Sequence, residues 1–424
     1  MAMIWGVLLI LLALFGAPLF VILGAIALLA FHSLGIDTSA VIVELYRITS
    51  APTLLAIPLF TFAGYVLADS NTPKRLVNLS RALVGWLPGG QAIVALVTCA
   101  FFTAFTGASG VTIVALGGLL YPILRSEGYP EKFSLGLLTS SGSLGLLFPP
   151  SLPIILYGFI AKVNIDQLFL AGILPGTLLI VLLSVYSVNR GTAASIVRIP
   201  FSWKNLYRAT RDAIWEIPLP FIIVGGIYAG FFTATEAAAV TAFYVIFIEV
   251  FIYRDLKLFK DIPRIMKESM LLVGGIIVIL GAAMGLTNYL IDEQVPMKIL
   301  DFMQTFVHSK FIFLIILNIL LLIVGCLMDM FSAIIVVVPL IVPIALQYGV
   351  DPVHLGVIFL TNLEIGYSTP PVGLNLFISS FRFNKPVVQL YLASLPFIAI
   401  LFVALMLITY LPDLSLWLVH LFSQ

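Results

Sequence analysis

Eleven apolar stretches run through this chain, near residues 3–31, 53–69, 90–124, 133–161, 167–188, 213–232, 235–253, 269–291, 311–347, 353–380 and 388–411, and the loops between them hold most of the charge. About 20 consecutive apolar residues cross a bilayer as a helix. In hydrocarbon every backbone amide and carbonyl must be paired within the protein, which makes helices the spanning elements for stretches of this length. The sequence therefore predicts an all-α polytopic membrane protein. Composition agrees: 61% of the residues are hydrophobic and 10% charged, against roughly 45–50% and ~25% in soluble domains. That excess excludes a soluble enzyme, a nucleic-acid binder and a disordered chain. Lys and Arg (21) against Asp and Glu (20) leave a net charge of +1, so no global field recruits an anionic partner. Met1 to Phe31 lacks Lys and Arg and is interrupted at Gly16 and Pro18. It is expected to remain as an uncleaved membrane segment. Neither Cys99 nor Cys326 has a Cys or His neighbour at metal-ligand spacing.

Two stretches are too long for a single crossing. Residues 90–124 lie between basic loops, with Lys74, Arg75 and Arg81 before and Arg125 and Lys132 after. Residues 311–347 lie between loops poor in Lys and Arg, around Asp292 and Glu293 and around Asp351. Basic loops favour the cytoplasm. Each stretch is thus expected to enter and leave on one face as a re-entrant helical hairpin, the first from the cytoplasm and the second from the opposite side. An internal repeat supports this. A shift of 221 residues carries Pro149-Pro150 onto Pro370-Pro371, Pro122 onto Pro343, Leu174-Pro175 onto Leu395-Pro396 and Gly145 onto Gly366. Residues 1–190 then form one half, with an arm helix 73–88, hairpin 90–124 and broken helix 133–161. Residues 191–212 form a cytoplasmic linker. Residues 213–424 form the second half, with arm 296–308, hairpin 311–347 and broken helix 353–380. Two opposed hairpins, each followed by a broken helix, make an inverted repeat, an architecture of secondary transporters.

The breaks carry the chemistry. Gly permits tight turns, and Pro frees carbonyls that an intact helix would consume. Freed carbonyls with Ser and Thr hydroxyls make an oxygen cage suited to a hard cation, while amides at half-helix starts favour an anion. The expected sodium ligands are Gly107, Ser109, Ser141 and Ser143 in the first half and Gly325, Asp329, Asn362 and Thr369 in the second. Thr106, Ser140, Pro149, Pro150, Thr361, Ser368 and Pro370 are expected to meet the substrate. Small residues at such spacing also serve close helix packing, but recurrence in both halves favours a site. Glu236, Asp329 and Glu364 lie in apolar surroundings, and an intramembrane carboxylate is costly enough to be functional by default. For Asp329 and Glu364 an ion contact and a scaffold bond weigh equally, whereas Glu236 reads as a helix cap. The chain has no P-loop, HExxH or dinucleotide fingerprint. A channel would need a continuous polar pore, and an intramembrane enzyme a nucleophile–base or metal constellation; neither pattern is present.

The segments FPPSLPIILYGFIAKVNIDQLFLAGILPG (148–176), GCLMDMFSAIIVVVPLIVPIALQYGVDPVHLG (325–356), IGYSTPPVGLNLF (365–377), IPLFTFAGYVL (57–67) and GFFTATEAAAV (230–240) resemble the large membrane subunit of TRAP (tripartite ATP-independent periplasmic) transporters, of the dicarboxylate-permease type. The likeness covers nearly the whole chain. It departs at Ala234, where the family usually has Pro, and at a less Ser-rich first hairpin tip. The resemblance implies an elevator-type secondary transporter, coupled to Na+, in a bacterial inner membrane. It implies two partners, a small four-helix membrane subunit and a periplasmic substrate-binding protein that delivers an organic acid. A stand-alone proton- or sodium-coupled dicarboxylate carrier of similar fold is the alternative.

Overall fold

The computed structural model describes residue 12, residues 15–193 and residues 200–422. The beginning of the 3–31 stretch, and residues 194–199 of the linker, lie outside the described residues. Among the described residues the fold is all-helical, without strands. Eight helices among the described residues are long and apolar enough to cross a membrane, and one further helix pair, bent by 46° at its break, is so when taken together.

The first half begins with α1 (Leu19–Ser33), which follows Pro18, and α2 (Ser39–Thr49). Next come α3 (Ala56–Asp69) and the amphipathic arm α4 (Thr72–Val84). Pro73 stands in the first turn of α4, where its missing N–H costs nothing. The hairpin consists of α5 (Gly90–Thr106) and α6 (Ser109–Ser126), joined by Gly107 and Ala108. The broken helix consists of α7 (Glu131–Ser141), a 3-10 turn at Leu144–Leu147 and α8 (Leu152–Ala161). The long α9 (Ile165–Ala193) closes the half.

The linker ends in a helix, α10 (Trp203–Asp212), and the second half opens with α11 (Pro218–Tyr228), whose middle is π-helical, and α12 (Ala234–Phe247), which runs on as a π-turn. After α13 (Asp261–Asp292) and the arm α14 (Val295–Phe306) comes a hairpin of α15 (Lys310–Leu327) and α16 (Met330–Gln347). The second broken helix is α17 (Pro352–Gly366) and α18 (Leu374–Phe383), followed by α19 (Val387–Tyr410) and α20 (Asp413–Phe422).

Several boundaries differ from the sequence reading. The arm 73–88 ends at Val84, before Gly85 and Pro88. The apolar stretch 269–291 is the inner part of α13, which starts at Asp261 because Arg264 and Lys267 are good helix formers though not apolar. The helices α2 and α20 fall outside the eleven stretches altogether.

The two halves interleave. α19 lies on α7, α16 on α8 and α18 on α6, while α13 holds α1, α2 and α3 together and α12 packs on α3. A buried ion network fixes the arm. Arg75 of α4 reaches Glu216, Glu249 (3.0 Å) and Asp255 (2.6 Å), and its guanidinium stacks 3.8 Å from the Tyr253 ring centroid. Burial raises the Glu216 carboxyl above its ordinary range, with Arg75 opposing. Burial also works to raise Asp255, but hydrogen bonds from Asn71 and Arg75 outweigh it and hold that carboxyl low. Removing one member of such a buried cluster leaves the others uncompensated, at a cost of about 3–5 kcal/mol.

Candidate functional site

The candidate site forms where the interrupted helices of the two halves meet. Gly107 ends α5 with φ 62°, a left-handed conformation that favours Gly. A Cβ there would stand 2.5 Å from Leu152 at the start of α8, so the hairpin tip rests directly on the first break. Thr103 Oγ1 donates to the carbonyl of Gly142 at 2.8 Å and lies 2.7 Å from Thr112 Oγ1. These two threonines tie both arms of the hairpin to the end of α7. Thr106 and Ser109 are buried beside them, and Thr106 Oγ1 reaches the Ala108 carbonyl at 3.4 Å. Ser140 and Ser141 are fully buried with hydroxyls that have no partner among the described residues. Pro149 and Pro150 occupy the short stretch between the 3-10 turn and α8.

The second half repeats the contact with different side chains. Gly325 near the end of α15 abuts α17 at Gly366, where an added Cβ would stand 2.5 Å from the Gly325 carbonyl carbon. The Gly373 amide donates to the Cys326 carbonyl at 3.1 Å, and the Tyr367 hydroxyl accepts from the Met330 amide. The second hairpin tip is thus fastened to the stretch between α17 and α18. Ser368 is fully buried with a hydroxyl lacking a partner among the described residues, and Thr369 Oγ1 donates to the Ile365 carbonyl at 2.8 Å. Pro370 is half-buried in the same stretch.

Two of the carboxylates cap helices, a duty the sequence reading gave to Glu236 alone. Asp329 is exposed and is the N-cap of α16, where it accepts from the Ser332 amide at 3.0 Å and from the Ser332 hydroxyl. Glu236 is also exposed, and it forms a capping box with Thr233 at the start of α12. The cap works without the proline that the family usually has at position 234, because the Thr–Glu exchange satisfies the first amides. Neither acid sits in the apolar surroundings expected from sequence.

Glu364 is the exception. It is fully buried on α17, and neither carboxylate oxygen has a partner among the described residues. Ser143 Oγ reaches the Glu364 carbonyl at 3.5 Å, exactly one repeat shift away in sequence. Asn375 of α18 donates to the Thr139 carbonyl and to Ser143 Oγ, both at 3.4 Å, and Thr139 Oγ1 donates to Ser379 Oγ at 3.0 Å. The broken helix of one half is therefore bonded to the broken helix of the other.

Asn362 and Thr361 make other bonds, and Asn362 Oδ1 is buried without a partner among the described residues. The Asn362 amide donates to Asn318 Oδ1 of α15 at 2.7 Å, and Asn318 donates in turn to Thr409 of α19 at 3.2 Å. At 1.5 Å per residue, Asn318 lies roughly 10 Å along α15 from the tip, so Asn362 braces the hairpin arm. Thr361 Oγ1 donates to the Val357 carbonyl of its own helix. Sequence reasoning missed Thr103, Thr112, Asn318, Tyr367 and Asn375. Asn318 had a visible signal, as the one polar side chain within FIFLIILNILLLIV.

The site thus offers oxygen donors, one buried carboxylate and no basic side chain, since residues 105–110, 139–151, 325–332 and 361–373 contain neither Lys nor Arg. Buried serine hydroxyls beside Gly107 and Ser109 fit a hard cation on donor chemistry.

A profile of the family described as "Tripartite ATP-independent periplasmic transporter, DctM component" matches residues 6–414. The C4-dicarboxylate TRAP transporter large permease protein DctM of Pseudomonas aeruginosa is 37% identical, covering 93% of this chain and 92% of that one. The isethionate TRAP transporter permease protein DctMQ of Oleidesulfovibrio alaskensis is also 37% identical, over 95% of this chain and 64% of its own length. The sialic acid TRAP transporter large permease protein SiaM of Vibrio cholerae is 33% identical over 87% of each. Among solved structures, the Alcanivorax borkumensis YdaH transporter shares the fold, with a TM-score of 0.58 at 13% identity over 90% of this chain and 88% of that one.

Proposed function

The chain belongs to the DctM-component family of tripartite ATP-independent periplasmic transporters, and from that premise we propose that it is the translocating subunit of a sodium-coupled organic-anion importer. The observation that carries this reading is the junction of the two broken helices at Ser143 and Glu364, with unpartnered hydroxyls of Ser140, Ser141 and Ser368 on the same segments. An anion that enters this low-dielectric site meets no Lys or Arg in the tips or breaks to offset its charge. Cations that enter with the substrate supply that offset, which makes coupling a consequence of the missing basic side chains.

The three relatives are named for a C4-dicarboxylate, isethionate and sialic acid. Their shared chemistry is a small organic acid, carboxylate or sulfonate. The hairpins and broken helices are the proposed moving unit of an elevator, with the remaining helices and the arms as its scaffold in a bacterial inner membrane. The matched region leaves about a third of the DctMQ permease uncovered, in keeping with a second, small membrane component that a separate subunit provides here. A periplasmic binding protein completes the set.

Reconstitution tests this. In proteoliposomes under an inward sodium gradient, the chain should show little uptake by itself and gain uptake when the small membrane subunit and a loaded binding protein are added. Robust uptake by the chain alone would favour the stand-alone carrier instead.

A further inference from the structure

A second cavity lies outside the transport site. It has a volume of about 370 Å³ and sits between the arm α4 and the helix α10 at the end of the linker. Arg81 and Asn78 line it from α4, and Arg208, Asn205 and Ser202 from α10 and its cap. Trp86 and Phe201 form its aromatic wall, edge to face at 6.3 Å. Arg81 gives one nitrogen to Glu127 at 2.7 Å and keeps its other N–H groups, since a guanidinium has five. Arg208 is exposed and makes no hydrogen bond or ion pair among the described residues. Asp212 also lines the cavity, one carboxylate against Arg81 and Arg208, with Lys204 and Arg211 on the same helix. Next to this charge, Trp203 and Tyr207 are 77% and 73% exposed. Amphipathic aromatics of this kind seat at the membrane–water boundary.

We propose that this groove binds the headgroup of an anionic phospholipid from the cytoplasmic leaflet. The phosphate would lie between Arg81 and Arg208, and the acyl chains would run along the apolar side next to Trp86, Phe201 and Leu83. A soluble anion would use the two arginines equally well but has no use for the aromatic wall. The basic residues also place α4 and α10 on the side where the membrane carries its anionic lipids. The ligand would bridge the first half's arm to the linker helix, bracing the scaffold beside the Arg75 network.

The test uses the full chain in delipidated dodecyl maltoside, with thermal unfolding followed during titration with phosphatidylglycerol or phosphatidylcholine in mixed micelles. Phosphatidylglycerol should raise the unfolding midpoint, and phosphatidylcholine or millimolar inorganic phosphate should not. Arg208→Gln should raise the half-saturating phosphatidylglycerol concentration about fivefold, the factor expected for one surface cation. Lys260→Gln, on another basic loop, should leave it unchanged. Arg81→Gln with Arg208→Gln should weaken the response further; if loss of the Glu127 pair prevents folding of that double variant, Arg208→Gln alone decides. An equal response to both lipids, the same shift with inorganic phosphate, or an Arg208→Gln variant that titrates like the unaltered chain would each overturn the proposal.

Discussion

Asp329 carries two possible duties that one substitution pair separates. As the N-cap of α16 it satisfies the Ser332 amide, and replacing a cap by Ala costs about 0.5–2 kcal/mol. As a sodium ligand it would supply a carboxylate oxygen that a hydroxyl replaces poorly. Asp329→Ser keeps the cap and removes the charge, whereas Asp329→Ala removes both. The coupling reading expects both variants to raise the sodium concentration for half-maximal uptake, with only the Ala variant losing several degrees of thermal stability. If Asp329→Ser transports with unaltered sodium dependence, the residue is a cap and nothing more. Glu364 shows why such duties are hard to read from sequence. Asp329 and Glu364 look alike as isolated acids in apolar strings. Whether each faces outward into a cap or inward without a partner depends on helix phase and on neighbours hundreds of residues away, such as Ser143.

At the scale of elements, each hairpin is seated on its own break by a close contact at a glycine. For the first, Gly107 combines φ 62° with a Cβ position only 2.5 Å from Leu152. Gly107→Ala meets both the left-handed backbone and the clash, so it should destabilise by about 1–2 kcal/mol or more and abolish uptake. Gly128→Ala, also at positive φ but with nothing within 4 Å of its Cβ, should cost stability and leave uptake in place. Equal uptake by both variants would remove the tip from the site. Most elements were legible beforehand: the turn around Gly107, the interruption at Pro149-Pro150 and the spans themselves follow from apolar length and Gly/Pro chemistry. Helix ends were less so. The start of α13 at Asp261 rests on helix formers that are not apolar, and the short α2 and α20 are set by packing on other helices; local hydropathy has no signal for either. The partners of Asn362 and Thr139 likewise depend on tertiary contacts, with α15 and α18 respectively.

For the whole molecule, the proposed function needs two hairpins from opposite faces guarding a shared site at the crossing of the broken helices. On that proposal their flanking charge would put the first tip on the cytoplasmic side and the second on the opposite side. The most direct measurement is labelling of single cysteines, placed at Ser109 and at Asp329 in a variant whose Cys99 and Cys326 are replaced by Ala, by impermeant reagents from each side of oriented vesicles, with and without sodium and substrate. The account predicts that Ser109→Cys reacts mainly from the cytoplasmic face and Asp329→Cys mainly from the periplasmic face, with the ligands shifting the two rates in opposite directions. Labelling of both positions from the same face, in every combination of sodium and substrate, would contradict it.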